Sequence, residues 1–204
     1  MLIDLSTCRP SQVYAYLTQT LIPRPIAWVL SENENGTLNL APFSYFSAIC
    51  SDPPLVLLSV GKKPDGTFKD TRVNIEQRDQ FVIHIPRRDQ AELVSASSAT
   101  LPAGDSEVAR LGLATQPLEG FPLPRLADCA VAYGCTRWEI QEIGGVPQSL
   151  ILGRVEYLYV ADSLAKRDER GRLFVDAAAL DPLGRLGLDQ YWVQGKILRI
   201  PRPD

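Results

Sequence analysis

The sequence predicts a mainly β fold with short helices, an antiparallel barrel or sandwich. Three observations carry that expectation. At least six apolar runs of strand length are divided by turn signals rather than by long helical stretches. Asn35-Gly36, inside ENENGT (32–37), is a strong hairpin signal because both residues tolerate positive φ. There is neither an alternating βαβα pattern nor a G-x-G-x-x-G after a strand, which argues against a Rossmann-type dinucleotide site.

The elements follow in order. PSQVYAYLTQTL (10–21) spaces Val13, Tyr14, Tyr16, Leu17 and Leu21 for a short amphipathic helix opened by Pro10 and Ser11. PIAWVLS (25–31) reads as a strand, and LNLAPFSYFSAIC (38–50) as its returning partner, interrupted at Pro42. PLVLLSV (54–60) is the next strand. FKDTRVNIEQRD (68–79) reads as a helix capped by Asp70 or Thr71, and QFVIHIP (80–86) as a strand. DQAELVSASSA and DSEVARLGL look like short helices, each opened by an acidic cap. DCAVAYGCTRWEIQEI (128–143) and SLILGRVEYLYVAD (149–162) read as two long antiparallel strands, joined by a turn holding Gly144, Gly145 and Pro147. The last forty residues are mixed. No repeat or low-complexity linker divides the chain, so residues 1–204 read as a single domain.

Composition narrows the function classes. The chain has 204 residues with 45% hydrophobic and 22% charged residues, ordinary for a globular protein, and a net charge of −3. That balance offers nucleic acid or an anionic membrane no general attraction. No apolar run approaches the ~20 residues a membrane helix needs, and MLIDLSTCRP lacks the pattern of a secretory signal. The expectation is a cytoplasmic protein without nucleic-acid or membrane partners. Cys8, Cys50, Cys129 and Cys135 form no C-x-x-C pair and read as buried or half-buried reduced thiols. Cys129 and Cys135 are six apart, so a straight strand would point both to one face. A single histidine, His84, weakens a zinc site or a Ser-His-Asp triad, and no metal is expected.

Three segments could carry chemistry. In FKDTRVN, Lys69 and Thr71 sit at a helix N-terminus and Asn74 lies one turn on. Cation, hydroxyl and free backbone N–H groups suit a phosphomonoester, although a capped surface helix explains the same pattern. In LIPRPIAWV, Arg24 lies between two prolines; it could clamp an anion or simply lead into an edge strand. NLAPFSYFSAI (39–49) mixes small polar groups with aromatic rings. Such a wall suits a flat heteroaromatic ring with a polar edge, and equally a bulged strand in an ordinary core.

In combination, RPIAWV, GTLNLAPFSYFSAICSDPPLVLLSVG, KDTRVNI and FVIHIP resemble the flavin-reductase-like family. The later segments DSEVARLGL, LPRLADCAVAYGC, LILGRVEYLYVAD and LDPLGRLGLDQYW are similar to their family counterparts in the same order, so the resemblance runs from about Leu21 to Trp192. It implies a six-stranded antiparallel FMN-binding split barrel of Greek-key type, forming a homodimer with FMN in a groove near the dimer interface. Carried onto this sequence, Arg24, Pro25 and Ile26 flank the cofactor. Asn39, Leu40, Ala41, Pro42, Phe43, Ser44, Tyr45 and Phe46 run along the isoalloxazine and ribityl chain. Lys69, Thr71 and Asn74 take the phosphate, and Arg185 and Tyr191 either touch flavin or stabilise the dimer. The implied activity is NAD(P)H-dependent flavin reduction, with electrons passing to free flavin, a metal chelate or an oxygenase or other partner protein. No side-chain acid or base is required, because the cofactor carries the chemistry. An FMN carrier with little reductase activity is the alternative, and a barrel that has lost its cofactor is a third. Two departures stand out. His84 replaces an expected Asn, as a half-buried imidazole or as a source of pH dependence near the flavin. Tyr157 and Tyr159 stand where a histidine is common, which puts the family's substrate preference in doubt.

Overall fold

The computed structural model describes residues 1–145, 147–193 and 195–197, so the end of the expected single unit, 198–204, lies outside the described residues. Helix α1 spans Pro10–Thr20 and leads into strands β1 (Ala27–Glu32), β2 (Leu38–Phe43), β3 (Phe46–Ser51) and β4 (Pro54–Val60). Helix α2 (Asp70–Arg78) and strand β5 (Gln80–His84) follow. The short helices α3 (Ala91–Ala96) and α4 (Glu107–Arg110) come next, then the long strands β6 (Val131–Ile143) and β7 (Gln148–Val160). These strands form one seven-stranded sheet in the order β2-β1-β5-β6-β7-β4-β3, antiparallel throughout.

The two edge strands of that sheet, β2 and β3, are neighbours in sequence and are joined only by Ser44 and Tyr45. A sheet whose edges are tied by two residues has to curl until they approach each other. The Tyr45 carbonyl accepts from Ser59 N–H on β4 at 2.9 Å and helps hold the bend. The outcome is an antiparallel split barrel. It has seven strands rather than six because the expected single strand 38–50 turns over at Ser44-Tyr45. Pro42 does not break it: β2 is an edge strand, and proline is tolerated where its missing N–H faces outward.

Alternation along β1 builds two cores. Ala27 and Val29 point into the barrel with Leu58, Ile75, Phe81, Ile83 and Ile151. Trp28 and Leu30 point outward and are covered by residues of α3, α4 and the 118–132 segment, among them Val94, Val108, Leu118 and Leu126. Both faces of β1 are therefore buried, and its sequence shows an unbroken apolar run. Gly153 on β7 is forced by packing, since a Cβ there would come within 2.4 Å of the Phe81 ring.

Local details depart from expectation. At 33–37 only Gly36 takes positive φ (+78°), and Asn33 N–H bonds Thr37 C=O, so the hairpin loop is longer than a two-residue turn. The α2 cap position is Lys69, with Asp70 already helical, and α4 is capped by the Ser106 hydroxyl rather than by an acid. Gln90, also not an acid, precedes α3. All four cysteines are free; Cys50 is exposed and Cys8 partly exposed. Cys129 lies before β6 begins and packs in the outer core, whereas Cys135 faces the barrel interior, so the two do not share a face. Burial pushes the Cys129 thiol up to about 12 and holds Cys135 protonated as well. Among the described residues, no helix is long and apolar enough to cross a membrane.

Candidate functional site

The site begins with the free edge of β2. Backbone groups on an edge strand need partners, and α4 supplies two. The Ser106 hydroxyl donates to Leu38 C=O at 2.6 Å, and the Glu107 carboxylate accepts from Leu40 N–H at 2.8 Å. Two residues on, Pro42 presents the same edge without an N–H. Beyond α4 the edge is open, and a groove runs along Ala41–Tyr45. It has a larger chamber of about 720 Å³ and a lesser one of about 350 Å³. Pro42, Lys62, Lys69 and Ser98 line both, so the chambers adjoin.

The lesser chamber suits an anion. Lys69 and the first residues of α2, Asp70 and Thr71, form one wall, and the leading amides of a helix lack intrahelical acceptors. Lys63 neutralises Asp70 at 2.8 Å. Lys69 pairs with no carboxylate among the described residues; its ammonium lies 5.5 Å from the Phe43 ring centroid, and burial holds its pKa below the ordinary lysine value. Behind this wall is a buried polar network. Asn39 donates to Thr71 Oγ1 (2.9 Å) and Ser31 Oγ (3.2 Å), while Asn74 donates to Ser31 Oγ (3.1 Å) and Asn33 Oδ1 (2.8 Å). Glu107 lines the far side, its carboxyl pKa raised by burial and lowered in part by the Leu40 amide.

The larger chamber is aromatic, and its rings come from three distant segments. Helix α1 gives Val13, Tyr14 and Leu17; the β2–β3 bend gives Phe43, Ser44 and Tyr45; the C-terminal segment gives Arg185 and Tyr191. Tyr14 and Tyr45 pack with ring centroids 6.2 Å apart. The C-terminal segment reaches this place because Arg24-Pro25 pairs with Gly184-Arg185, which pairs in turn with Tyr191-Trp192. Arg24 ties all three segments together. Its guanidinium donates to Thr18 and Leu21 carbonyls at the end of α1, to Leu186 C=O at 2.9 Å, and to Ser44 Oγ at 3.3 Å. Arg185 stacks 4.7 Å from the Tyr191 centroid and donates to Gln190 C=O.

Of the sequence-predicted residues, the groove gathers Ile26, Asn39, Ala41, Pro42, Phe43, Ser44, Tyr45, Lys69, Thr71, Arg185 and Tyr191. Arg24, Pro25, Leu40, Phe46 and Asn74 do not line it. Arg24 spends its donors on protein, Pro25 is exposed in its strand pair, and Leu40 and Phe46 pack into the outer and inner cores. Asn74 is one turn too deep along α2. His84 lies away from both chambers. It is fully rather than half-buried, donates from Nδ1 to Trp28 C=O (3.0 Å) and accepts Leu126 N–H at Nε2 (2.9 Å). Burial pushes its pKa down to about 4, so it is a neutral structural imidazole, and the expected pH sensor near a ligand is corrected. Sequence reading missed Glu107, Lys62 and the turn 97–101. Lys62 carried a signal, since it stands in GKKPDGT (61–67), seven residues before Lys69; Glu107 carried none, because only the sheet edge makes its position special.

The chain is similar to known proteins in sequence and fold. Residues 19–176 match the family described as flavin reductase like domain. An uncharacterized protein of Halalkalibacterium halodurans is 36% identical, over 93% of this chain and 90% of its own. Among solved structures, nitrilotriacetate monooxygenase component B from Bacillus cereus is 31% identical with a TM-score of 0.89, covering 98% of both chains. The 2-nitrobenzoate 2-nitroreductase of Pseudomonas fluorescens is 30% identical with a TM-score of 0.88, covering all of this chain and 96% of its own.

Proposed function

The chain belongs to the flavin reductase like family, and from that premise we propose that it is an FMN-dependent, NAD(P)H-consuming oxidoreductase. The observation that carries this reading is an aromatic chamber adjoining a cationic one along a single open strand edge. The residues fit FMN. Lys69, Thr71 and the α2 N-terminus offer a phosphate a positive charge, a hydroxyl and free amides. Ala41, Pro42 and Phe43 offer a polyol and a ring an edge rich in backbone groups beside an apolar wall. Bound FMN supplies the hydride- and electron-accepting centre, and the protein supplies position and dryness. Lys69 holds charge against the anion while Phe43 beneath it limits water. Tyr14, Tyr45 and Tyr191 screen the larger chamber, where a nicotinamide and then the electron acceptor are received. Arg24 acts as a clasp rather than as a ligand.

We take residues 1–204 as one functional unit, a homodimer working in the cytoplasm. The 31% identical relative is a monooxygenase component and the 30% identical one a nitroreductase, which supports either an oxygenase partner or a small aromatic acceptor. The reading is tested by adding FMN, desalting, and recording the visible spectrum before and after anaerobic NADH or NADPH. Retained flavin that bleaches is the expected result. Retained flavin that stays oxidised would make the protein a carrier, and a titration showing no FMN binding would remove the cofactor assignment.

A further inference from the structure

The turn that follows α3, residues 97–101, lines the lesser chamber opposite the α2 N-terminus. It is not a helix or strand, yet it is tied to the centre of the outer core. Trp28 is fully buried, and its indole N–H donates to Ser97 Oγ at 2.8 Å. Ser97 is itself 1% exposed and donates onward to Val94 C=O at 3.0 Å. The next two amides are used inside the turn, Ser98 N–H on Ser95 C=O and Ala99 N–H on Ala96 C=O. Those of Thr100 and Leu101 meet no acceptor among the described residues, and both residues line the chamber. A buried indole fixes one end of the turn, and two free donors stand at the other. Consecutive free N–H groups on a turn make an anion-binding concavity.

We infer that Trp28, acting through Ser97, is a positioning residue that presents the 97–101 turn as a third arm of the phosphate-holding chamber, beside Lys69 and the α2 N-terminus. This rests on the FMN reading given above. It gives Trp28 a share, beside Lys69 and Thr71, in the preference for a phosphorylated flavin over riboflavin, which lacks the group this arm would hold. Trp28 is too deep to touch the ligand, so it works only through the hydrogen bond to Ser97.

The test is a double-mutant cycle of Trp28→Phe and Ser97→Ala, with FMN and riboflavin affinities measured by flavin fluorescence titration. Each single variant is expected to weaken FMN about three- to tenfold, the size of one hydrogen bond, and to change riboflavin affinity less than about twofold. The double variant is expected to be no weaker than the poorer single one. Parallel losses for both flavins would show a purely structural role and overturn the inference, as would additive losses or an unchanged FMN affinity. Should Trp28→Phe not fold, the FMN-to-riboflavin ratio of Ser97→Ala decides alone. A wild-type protein that binds no FMN would instead remove the reading on which the inference stands.

Discussion

The two chambers of the groove are built in opposite ways. The lesser one draws its cations, Lys62, Lys63 and Lys69, and the helix start at Asp70 and Thr71 from a single stretch of chain, so its positive charge is local even though β2, the 97–101 turn and Glu107 complete its walls. The larger one joins α1, the β2–β3 bend and the C-terminal segment, three pieces far apart in sequence, and depends on Arg24 to keep them together. A local site loses affinity when its charges go but keeps its fold. An assembled site loses its shape when the clasp goes. Binding and stability should therefore separate in one chamber and move together in the other.

The sharpest way to break this contrast is to empty the lesser chamber. Lys69→Ala with Thr71→Ala should weaken FMN binding by roughly 10²- to 10⁴-fold, from charge-assisted contacts worth about 1.5–3 kcal/mol each. Riboflavin affinity should change little; Lys69→Ala alone should leave the urea midpoint in place, whereas the Thr71 change also strands the buried Asn39 amide and should lower stability by about 1–3 kcal/mol. Calorimetry showing FMN affinity unaltered would place the phosphate elsewhere. For the larger chamber, Arg24→Met should cost about 3 kcal/mol of stability, because the carbonyls of Thr18, Leu21 and Leu186 lose a buried cationic donor. It should also weaken FMN and riboflavin by similar factors. Wild-type stability with only FMN weakened would mean that Arg24 is a phosphate ligand after all. The smallest expected effect is at Tyr45, whose hydroxyl is buried in the larger chamber's wall with no hydrogen-bond partner among the described residues. Tyr45→Phe should raise the stability of the flavin-free protein by about 1 kcal/mol, since an unpaired buried hydroxyl is removed at little change of shape. A clear fall in thermal midpoint would reveal a partner for that oxygen.

The same division explains what could be read in advance. FKDTRVN exposed the anion chamber because cation, hydroxyl and helix start fall at fixed local spacing. It overreached at Asn74, whose side chain turns inward to Ser31 and Asn33 and joins a network that no local spacing reveals. NLAPFSYFSAI supplies residues that line the groove, but it hid the turn at Ser44-Tyr45 that makes two strands of it. Arg24 carried a visible signal between its prolines, yet whether its donors face a ligand or three carbonyls depends on where Leu186 returns, 162 residues away.

Local sequence accounts for the β-rich alternation, the turns at Asn35-Gly36 and Gly144-Gly145, a helix over 68–79 and the rings and small polar groups along 39–46, because each depends on neighbours within a few residues. The tertiary structure decided the rest. Strand pairing left β2 at an edge, set Glu107 on Leu40, closed the aromatic chamber with α1 and residues 185–191, and sank His84 beyond the reach of solvent. Those outcomes depend on long-range pairing, and a residue's solvent exposure and hydrogen-bond partners are fixed only when distant strands meet.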